Sequence, residues 1–369
     1  MSKDIKLPKR AQKIEKIAKS IQSILSAYGY NEVYLPLYEY YDILSKTVWK
    51  FNDENIIRFI DRNTGKSMVL RPDFTPQVCR NVANYYSAYP RPIRLSYKGR
   101  IFRNVNTNKG LKSEMHQIGL ELFGEEELFG DLEILLIGYK GLTSLNISDF
   151  KIVLTDGAFL DECLKFLEDK TTYIELLKSK RYYEISSIVK MLNLEKEKDR
   201  LFHTLPHSFG GIEVIDELLK IASFSSILTD RLLEMKNLYS SLLELGIKED
   251  KILFDLGEIS GLDYYTGLNF TFINKDTGGR LISGGRYDNL MDKFGLKLSA
   301  CGIAFNIEEI LSLYKVEDEK TEVDYLVVGK DNFKKAEELR KKGFKVLWVS
   351  DNDKIVNLDL LYQIKNIIS

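Results

Sequence analysis

The chain has 369 residues, more than one typical domain, and its 44% hydrophobic content can build cores for two or three compact units. Its 53 basic and 54 acidic residues nearly cancel, to a formal net charge of -1, so no global basic field favours nucleic acid. Cys79, Cys163 and Cys301 are few, far apart and odd in number, which fits a reducing compartment rather than a disulfide framework. With His116, His203 and His207 they make no metal-ligand spacing, so no metal is expected.

At the N-terminus Ile14, Ile17, Ala18, Ile21, Ile24 and Leu25 recur at helical spacing with lysines between them, the pattern of an amphipathic helix with a solvated basic face. Asp4, Lys6, Lys9 and Glu15 interrupt any apolar run that a signal peptide would need. No segment approaches a membrane span, so a soluble cytoplasmic protein is expected.

Residues 33 to 123 are dominated by short β-type runs. In the last, MHQIGLELFG, Ile118, Leu120 and Leu122 alternate with Gln117, Gly119 and Glu121. One face is then apolar, and the other offers an amide and a carboxylate across a glycine gap. From about 125 to 250 helical spacing takes over in EEELFGDLEILLIGYKGLTSLN, GAFLDECLKFLED, YYEISSIVKMLNLEKEK, GGIEVIDELLKIAS and TDRLLEMKNLYSSLLELG. A strand-like KIVLTDG interrupts it, as does HTLPHSFGG, where Pro206 and paired glycines break the pattern. The stretch of about 160 to 250 reads as a helical insertion in a discontinuous core.

Sheet patterning resumes at KILFDLGEIS. In LDYYTGLNFTF, Tyr264, Thr266, Leu268 and Phe270 oppose Asp263, Tyr265, Gly267 and Asn269, again with glycine on the polar face. The hairpin-like INKDTGGRLISGGRYD follows, then a helix at NIEEILSLYK. After a polar run at 316 to 322, DYLVVGK, NFKKAEELRKKG and FKVLWVS read as two parallel strands joined through a helix by a right-handed crossover. The expected fold is α+β: a mainly antiparallel sheet flanked by helices over residues 1–320, and a small C-terminal α/β unit over 321–369.

Four segments carry a family resemblance: LRPDFTPQVCR at 70–80, YKGRIFRN to HQIGLELFG at 97–124, GLDYYTG at 261–267, and GGRYDNL at 284–290. In this order they make residues 8–311 similar to the catalytic core of the histidyl-tRNA synthetase family, a class II aminoacyl-tRNA synthetase fold. The similarity is greatest to its non-aminoacylating branch, the regulatory subunits of ATP phosphoribosyltransferase. Synthetases resemble RPEGT at the first segment, whereas RPDFTP with YYTG looks like the regulatory branch.

The resemblance implies a histidine pocket of Asp73, Thr75, Arg103, Gln117, Glu121, Tyr264, Tyr265 and Tyr287. Asp73, Thr75 and Gln117 match the groups that hold the substrate ammonium, a cation that needs acceptors. Arg103 matches the arginine that faces carboxylate or phosphate. Glu121 and Tyr265 match the groups that grip the imidazole, whose two nitrogens need one partner each. Tyr287 matches an aromatic lining residue, and Tyr264 adjoins Tyr265 in the same motif. Each also has a plain structural reading, a salt bridge for Arg103 and sheet packing for the tyrosines.

The departures from the synthetase pattern fall on the ATP side. Ser260 stands where the synthetases resemble an arginine that offsets phosphate charge in the transition state, and a hydroxyl cannot do that. Val105 replaces the glutamate of FRxE, and Glu309 replaces the arginine of GLER, turning attraction for a triphosphate into repulsion. The resemblance therefore implies no catalytic residue and no cofactor. It implies a short-form catalytic subunit as partner, a homodimer within a larger hetero-oligomer, and histidine as effector. The C-terminal unit is smaller than a synthetase anticodon-binding domain and its helix reads as a solvated face, so tRNA is not expected as a partner. The alternatives are an active histidyl-tRNA synthetase and a synthetase-like sensor of an amino acid or tRNA.

Overall fold

The computed structural model describes residues 8–47, 55–105, 112–259, 265–315, 320–358 and 361–369. The first part of the chain forms α1 (Pro8–Ala27), β1 (Asn31–Glu32), β2 (Tyr38–Tyr40), α2 (Tyr41–Thr47), β3 (Arg58–Ile60), β4 (Ser67–Leu70), α3 (Thr75–Tyr85), β5 (Ile93–Phe102) and β6 (Glu114–Phe123). Then come α4 (Glu127–Ser144), β7 (Phe150–Asp156), α5 (Gly157–Leu164), α6 (Thr171–Lys178), α7 (Tyr182–Met191), α8 (Lys196–Thr204), β8 (Phe209–Gly210), α9 (Glu213–Ile221) and α10 (Ser226–Glu244). The remainder is β9 (Ile252–Asp255), β10 (Leu268–Asn274), β11 (Arg280–Arg286), α11 (Asp288–Asp292), β12 (Ala300–Asn306), α12 (Ile307–Leu313), β13 (Thr321–Val328), α13 (Phe333–Lys341), β14 (Val346–Val349) and β15 (Tyr362–Ile368). They fall into two compact units, Met1–Tyr314 and Lys315–Ser369.

The first unit is built on a nine-stranded sheet in the order β1-β5-β6-β12-β11-β10-β7-β9-β8. Only β1/β5 and β7/β9 pair in parallel; the central neighbours are antiparallel. The period-2 pattern of β6 sends Ile118, Leu120 and Leu122 into the main core, where they meet Ile17, Ile21 and Leu25 of α1 and Ile134, Leu135 and Ile137 of α4. That core therefore lies on one face of the sheet, and Gln117 and Glu121 point to the other. A second cluster on that other face joins Phe74, Val78, Cys79 and Val82 with Leu95, Tyr97 and Tyr287. A small sheet, β2-β4-β3, lies in the same unit.

The helices between β7 and β9 are not a detached module. Tyr173, Leu176, Ile185, Val189, Phe202, Leu218 and Leu232 belong to the same apolar cluster as the sheet strands. Other local differences have local causes. RPDFTPQVCR leads into α3 because Pro76 falls in the first helical turn, where a missing N–H costs nothing. YYEISSIVKMLNLEKEK splits into α7 and α8 at Asn193, whose φ of +48° is the left-handed conformation that asparagine tolerates. The β-type run VYLPLYEYYDIL yields only the short β2 before turning helical at Tyr41.

In the second unit β13 is flanked by β14 and by β15, both parallel to it. The third strand extends the two-stranded pattern expected from the sequence. Its core is Val327, Ala336 and Leu339, with Tyr325, Val346, Trp348 and Ile368 packed around them.

Candidate functional site

On the polar face of the large sheet lies a cleft of about 310 Å³. The sheet supplies Gln117 and Glu121 from β6, Asn269 and Thr271 from β10, Arg280 and Ser283 from β11, and Asn306 from β12. Asp73 and Thr75 at the start of α3, Tyr97 on β5, and Arg103, Tyr265 and Tyr287 add further polar lining. Seven of the eight candidate residues thus surround one cavity. Tyr264 lies outside the described residues.

Two glycines make room for this arrangement. Tyr97 faces Gly119 in the β5–β6 register, and a Cβ on Gly119 would run into the tyrosine ring and into the Ile303 carbonyl, 2.7 Å away. Gly302 faces Glu121 across β6–β12, and a Cβ there would collide with the carboxylate and reach the Leu120 carbonyl at 2.6 Å. The glycine gap noted on β6 is therefore filled by Tyr97, a site residue that the sequence alone did not single out.

Glu121, 1% exposed, gathers the hydroxyls of the cleft. Thr75 Oγ1 donates to its Oε1 at 2.8 Å and Tyr97 Oη to the same oxygen at 3.2 Å. Tyr287 Oη donates to Oε2, so Tyr287 is a hydrogen-bond donor as well as an apolar wall. Burial pushes the Glu121 carboxyl up to about 8, against the lowering effect of the Tyr287 and Thr75 hydroxyls. Burial, followed by the field of Glu121, likewise holds the Tyr97 and Tyr287 phenols far above their usual range, so they stay donors.

Neighbouring contacts fix the rest of the rim. Arg71, 3% exposed, donates from Nε to Arg100 O at 2.8 Å and from Nη1 to Leu35 O at 3.0 Å, and its guanidinium lies over the Phe74 ring at 3.8 Å. It pins the turn that presents Asp73 and Thr75, and Asp73 Oδ1 accepts the Thr75 N–H at 3.2 Å. Arg103 donates from Nε to Pro72 O at 3.2 Å, joining the same turn. Beside Gln117, Arg100 Nε donates to His116 Nε2 at 3.0 Å, which leaves the ring proton on Nδ1 for Glu308 Oε1 at 2.9 Å. The His116 N–H also donates to Glu308 Oε2 at 2.8 Å, tying β6 to α12.

Among the described residues, Gln117 Oε1 and Asn306 Oδ1 are buried acceptors without a hydrogen bond, on two cleft residues that face each other across β6–β12. Buried acceptors of this kind match a ligand with N–H groups. Asn306, like Arg280, escaped the sequence reading. Its signal would have been the alternation of β12, visible only once the strand register is known.

Of the three departures from the synthetase pattern, Ser260 lies outside the described residues. Val105 is part-buried just after Arg103. The Glu309 carboxylate lies against Gly279, where a Cβ would come within 2.7 Å of Oε2, adjacent to the cleft residue Arg280.

A family model described as histidyl-tRNA synthetase matches residues 4–310. An ATP phosphoribosyltransferase regulatory subunit from Geobacter metallireducens is 33% identical over 90% of this chain and 78% of its own. The chain belongs to the histidyl-tRNA synthetase family, among the ATP phosphoribosyltransferase regulatory subunits. A second member of this group, from Geobacter sulfurreducens, is 31% identical over 92% of this chain and 80% of its own. A crystal structure from Bacillus halodurans, described as an ATP phosphoribosyltransferase regulatory subunit/histidyl-tRNA synthetase, is 25% identical with a TM-score of 0.85 over 99% of this chain and 96% of that one. The sheet and flanking helices are thus the class II synthetase-like α+β fold of the family.

Proposed function

We propose that this chain is the non-catalytic regulatory subunit of a cytoplasmic ATP phosphoribosyltransferase, the first enzyme of histidine biosynthesis. In this reading it works as a homodimer within a hetero-oligomer, beside a separate short-form catalytic subunit that condenses ATP with phosphoribosyl pyrophosphate. Histidine binds the cleft and lowers the activity of the complex. The observation that carries the reading is the grouping around Glu121: a buried carboxyl dressed by three hydroxyls, in a cleft that also holds the acceptors Asp73, Gln117 and Asn306 and the cation Arg103. An imidazole N–H suits Glu121 and the second ring nitrogen suits Tyr265. The ammonium group suits Asp73, Thr75 and Gln117, and the carboxylate suits Arg103.

Ser260, Val105 and Glu309 support a sensor over an adenylating enzyme, because the synthetase pattern has arginines where Ser260 and Glu309 stand and a polar glutamate where Val105 stands. Inhibition further requires that histidine bind the two states of the complex with different affinity. The test is reconstitution with a short-form catalytic subunit: phosphoribosyl-ATP synthesis should rise on adding this chain and become histidine-sensitive. No rise and no sensitivity would sink the proposal. The family model and the double description of the Bacillus halodurans structure favour one second reading, an active synthetase, and histidine-dependent ATP–pyrophosphate exchange would establish it.

A further inference from the structure

Arg231, on α10 between β7 and β9, lies outside the cleft lining and gathers a cluster of carboxylates. Its Nη1 donates to Glu127 Oε1 at 2.9 Å and to Glu234 Oε2 at 2.6 Å, and its Nη2 donates to Asp156 Oδ2. The Asp156 side chain is 1% exposed, and it also caps α5 by accepting the Phe159 N–H at 2.7 Å. The next residue, Gly157, donates its N–H to Gly267 O at 2.9 Å. Gly267 in turn lies against the pair itself, since a Cβ there would come 3.5 Å from Glu127 Oε1 and 3.6 Å from Arg231 Nη2. Tyr265 of the cleft is two residues away.

A second route leaves from Glu127. Arg286, 2% exposed, donates from Nη2 to Glu127 O at 2.9 Å and to Asp131 Oδ1 at 2.8 Å. Its own carbonyl accepts the Thr266 N–H at 2.8 Å, and the Asp288 N–H donates to Thr266 Oγ1 at 3.0 Å. Tyr287, between Arg286 and Asp288, carries the hydroxyl that bonds Glu121. Both routes from Arg231 therefore end on tyrosines of the cleft. The Arg231 cluster itself lines a cavity of about 160 Å³, together with Leu128, Met235, Leu238 and Leu268.

We infer that Arg231 is a positioning residue for the cleft, through which α10 sets the places of Tyr265 and Tyr287. The inference rests on the reading of the cleft as a histidine site. A guanidinium is suited to the role because its planar fork serves several carboxylates at once, which a lysine ammonium does not reproduce. Losing it leaves the Asp156 carboxylate buried without its cation.

The test is calorimetric titration of the full chain with L-histidine, with thermal unfolding run on the same samples. Arg231→Met should weaken binding about tenfold and Arg231→Lys by less, and the loss from Arg231→Met should shrink in a Tyr265→Phe background, as coupled residues require. A structural loss acting elsewhere would lower the unfolding midpoint yet multiply independently with Tyr265→Phe, and that result overturns the role. Should Arg231→Met fail to fold, Arg231→Lys carries the test, and wild-type affinity in it would likewise overturn the role. Absence of histidine binding by the wild-type chain would instead overturn the reading of the cleft, and this inference with it.

Discussion

Three hydroxyls converge on Glu121, and they leave its carboxyl raised to about 8 by burial. Between the ordinary value of 4.5 and about 8 the folded chain holds a proton that the unfolded chain has released, so this group's contribution to stability falls as pH rises through that window. The same proton governs binding of an imidazole, which titrates near ~6.5 when free. Between ~6.5 and about 8 the separate partners together hold one proton, the number that a bound imidazole–carboxyl pair keeps wherever the proton sits. Below the window binding must release a proton, and above it binding must take one up. Histidine affinity should therefore peak inside the window and fall on both sides, by up to about tenfold per pH unit. Calorimetry in buffers of different ionisation enthalpy reads both the affinity and the proton count. Glu121→Gln should abolish the alkaline limb and weaken binding roughly 10- to 100-fold, the worth of a charge-assisted hydrogen bond. A Gln variant with the wild-type pH profile would show that Glu121 does not set it. The polar face bearing Gln117 and Glu121 was legible in the alternation of one strand. Tyr97 was not, because its place opposite Gly119 depends on inter-strand register, which periodicity leaves open.

Among the elements, β12 leaves little space beneath the cleft. Gly302 sits opposite Glu121, and an added Cβ would meet the carboxylate on one side and the Leu120 main-chain carbonyl on the other. A carboxylate can swing aside, but a carbonyl in a paired central strand cannot. Gly302→Ala should cost about 1–3 kcal/mol of stability, as overpacking of a filled core does. The urea midpoint should fall with the slope unchanged; an unaltered midpoint would mean that the sheet opens to admit a methyl group. Long helices such as α4 and α10 and the alternating strands β6 and β10 could be read from their periods. The short α2 and α3 could not, because tertiary packing overrides the β propensity of Tyr41 and because Pro76 reads as a breaker until its place in the first turn is known. The break at Asn193 likewise turns on one left-handed residue inside an otherwise continuous helical pattern.

Across the whole molecule, helical periodicity marked which faces of α5 to α10 are apolar but not what they pack against. The structure merges them with the sheet in one core, so the first unit, Met1–Tyr314, holds the main core and every described residue of the cleft. The second unit has a much smaller core, centred on Val327, Ala336 and Leu339, while Leu361 and Ile367 are 55% and 62% exposed. Hydrophobic burial scales with the size of the core, and a unit of this length is marginal without further support. A chain ending at Tyr314 should therefore unfold cooperatively and bind histidine within about twofold of the full chain, since every described residue of the cleft lies in the first unit. Residues 315–369 alone should show no cooperative thermal transition by circular dichroism. A truncated first unit that keeps its helical signal but loses histidine binding would assign the tail a direct part in shaping the cleft. A cooperative transition in the isolated tail would show that three parallel strands and one helix can hold so small a core.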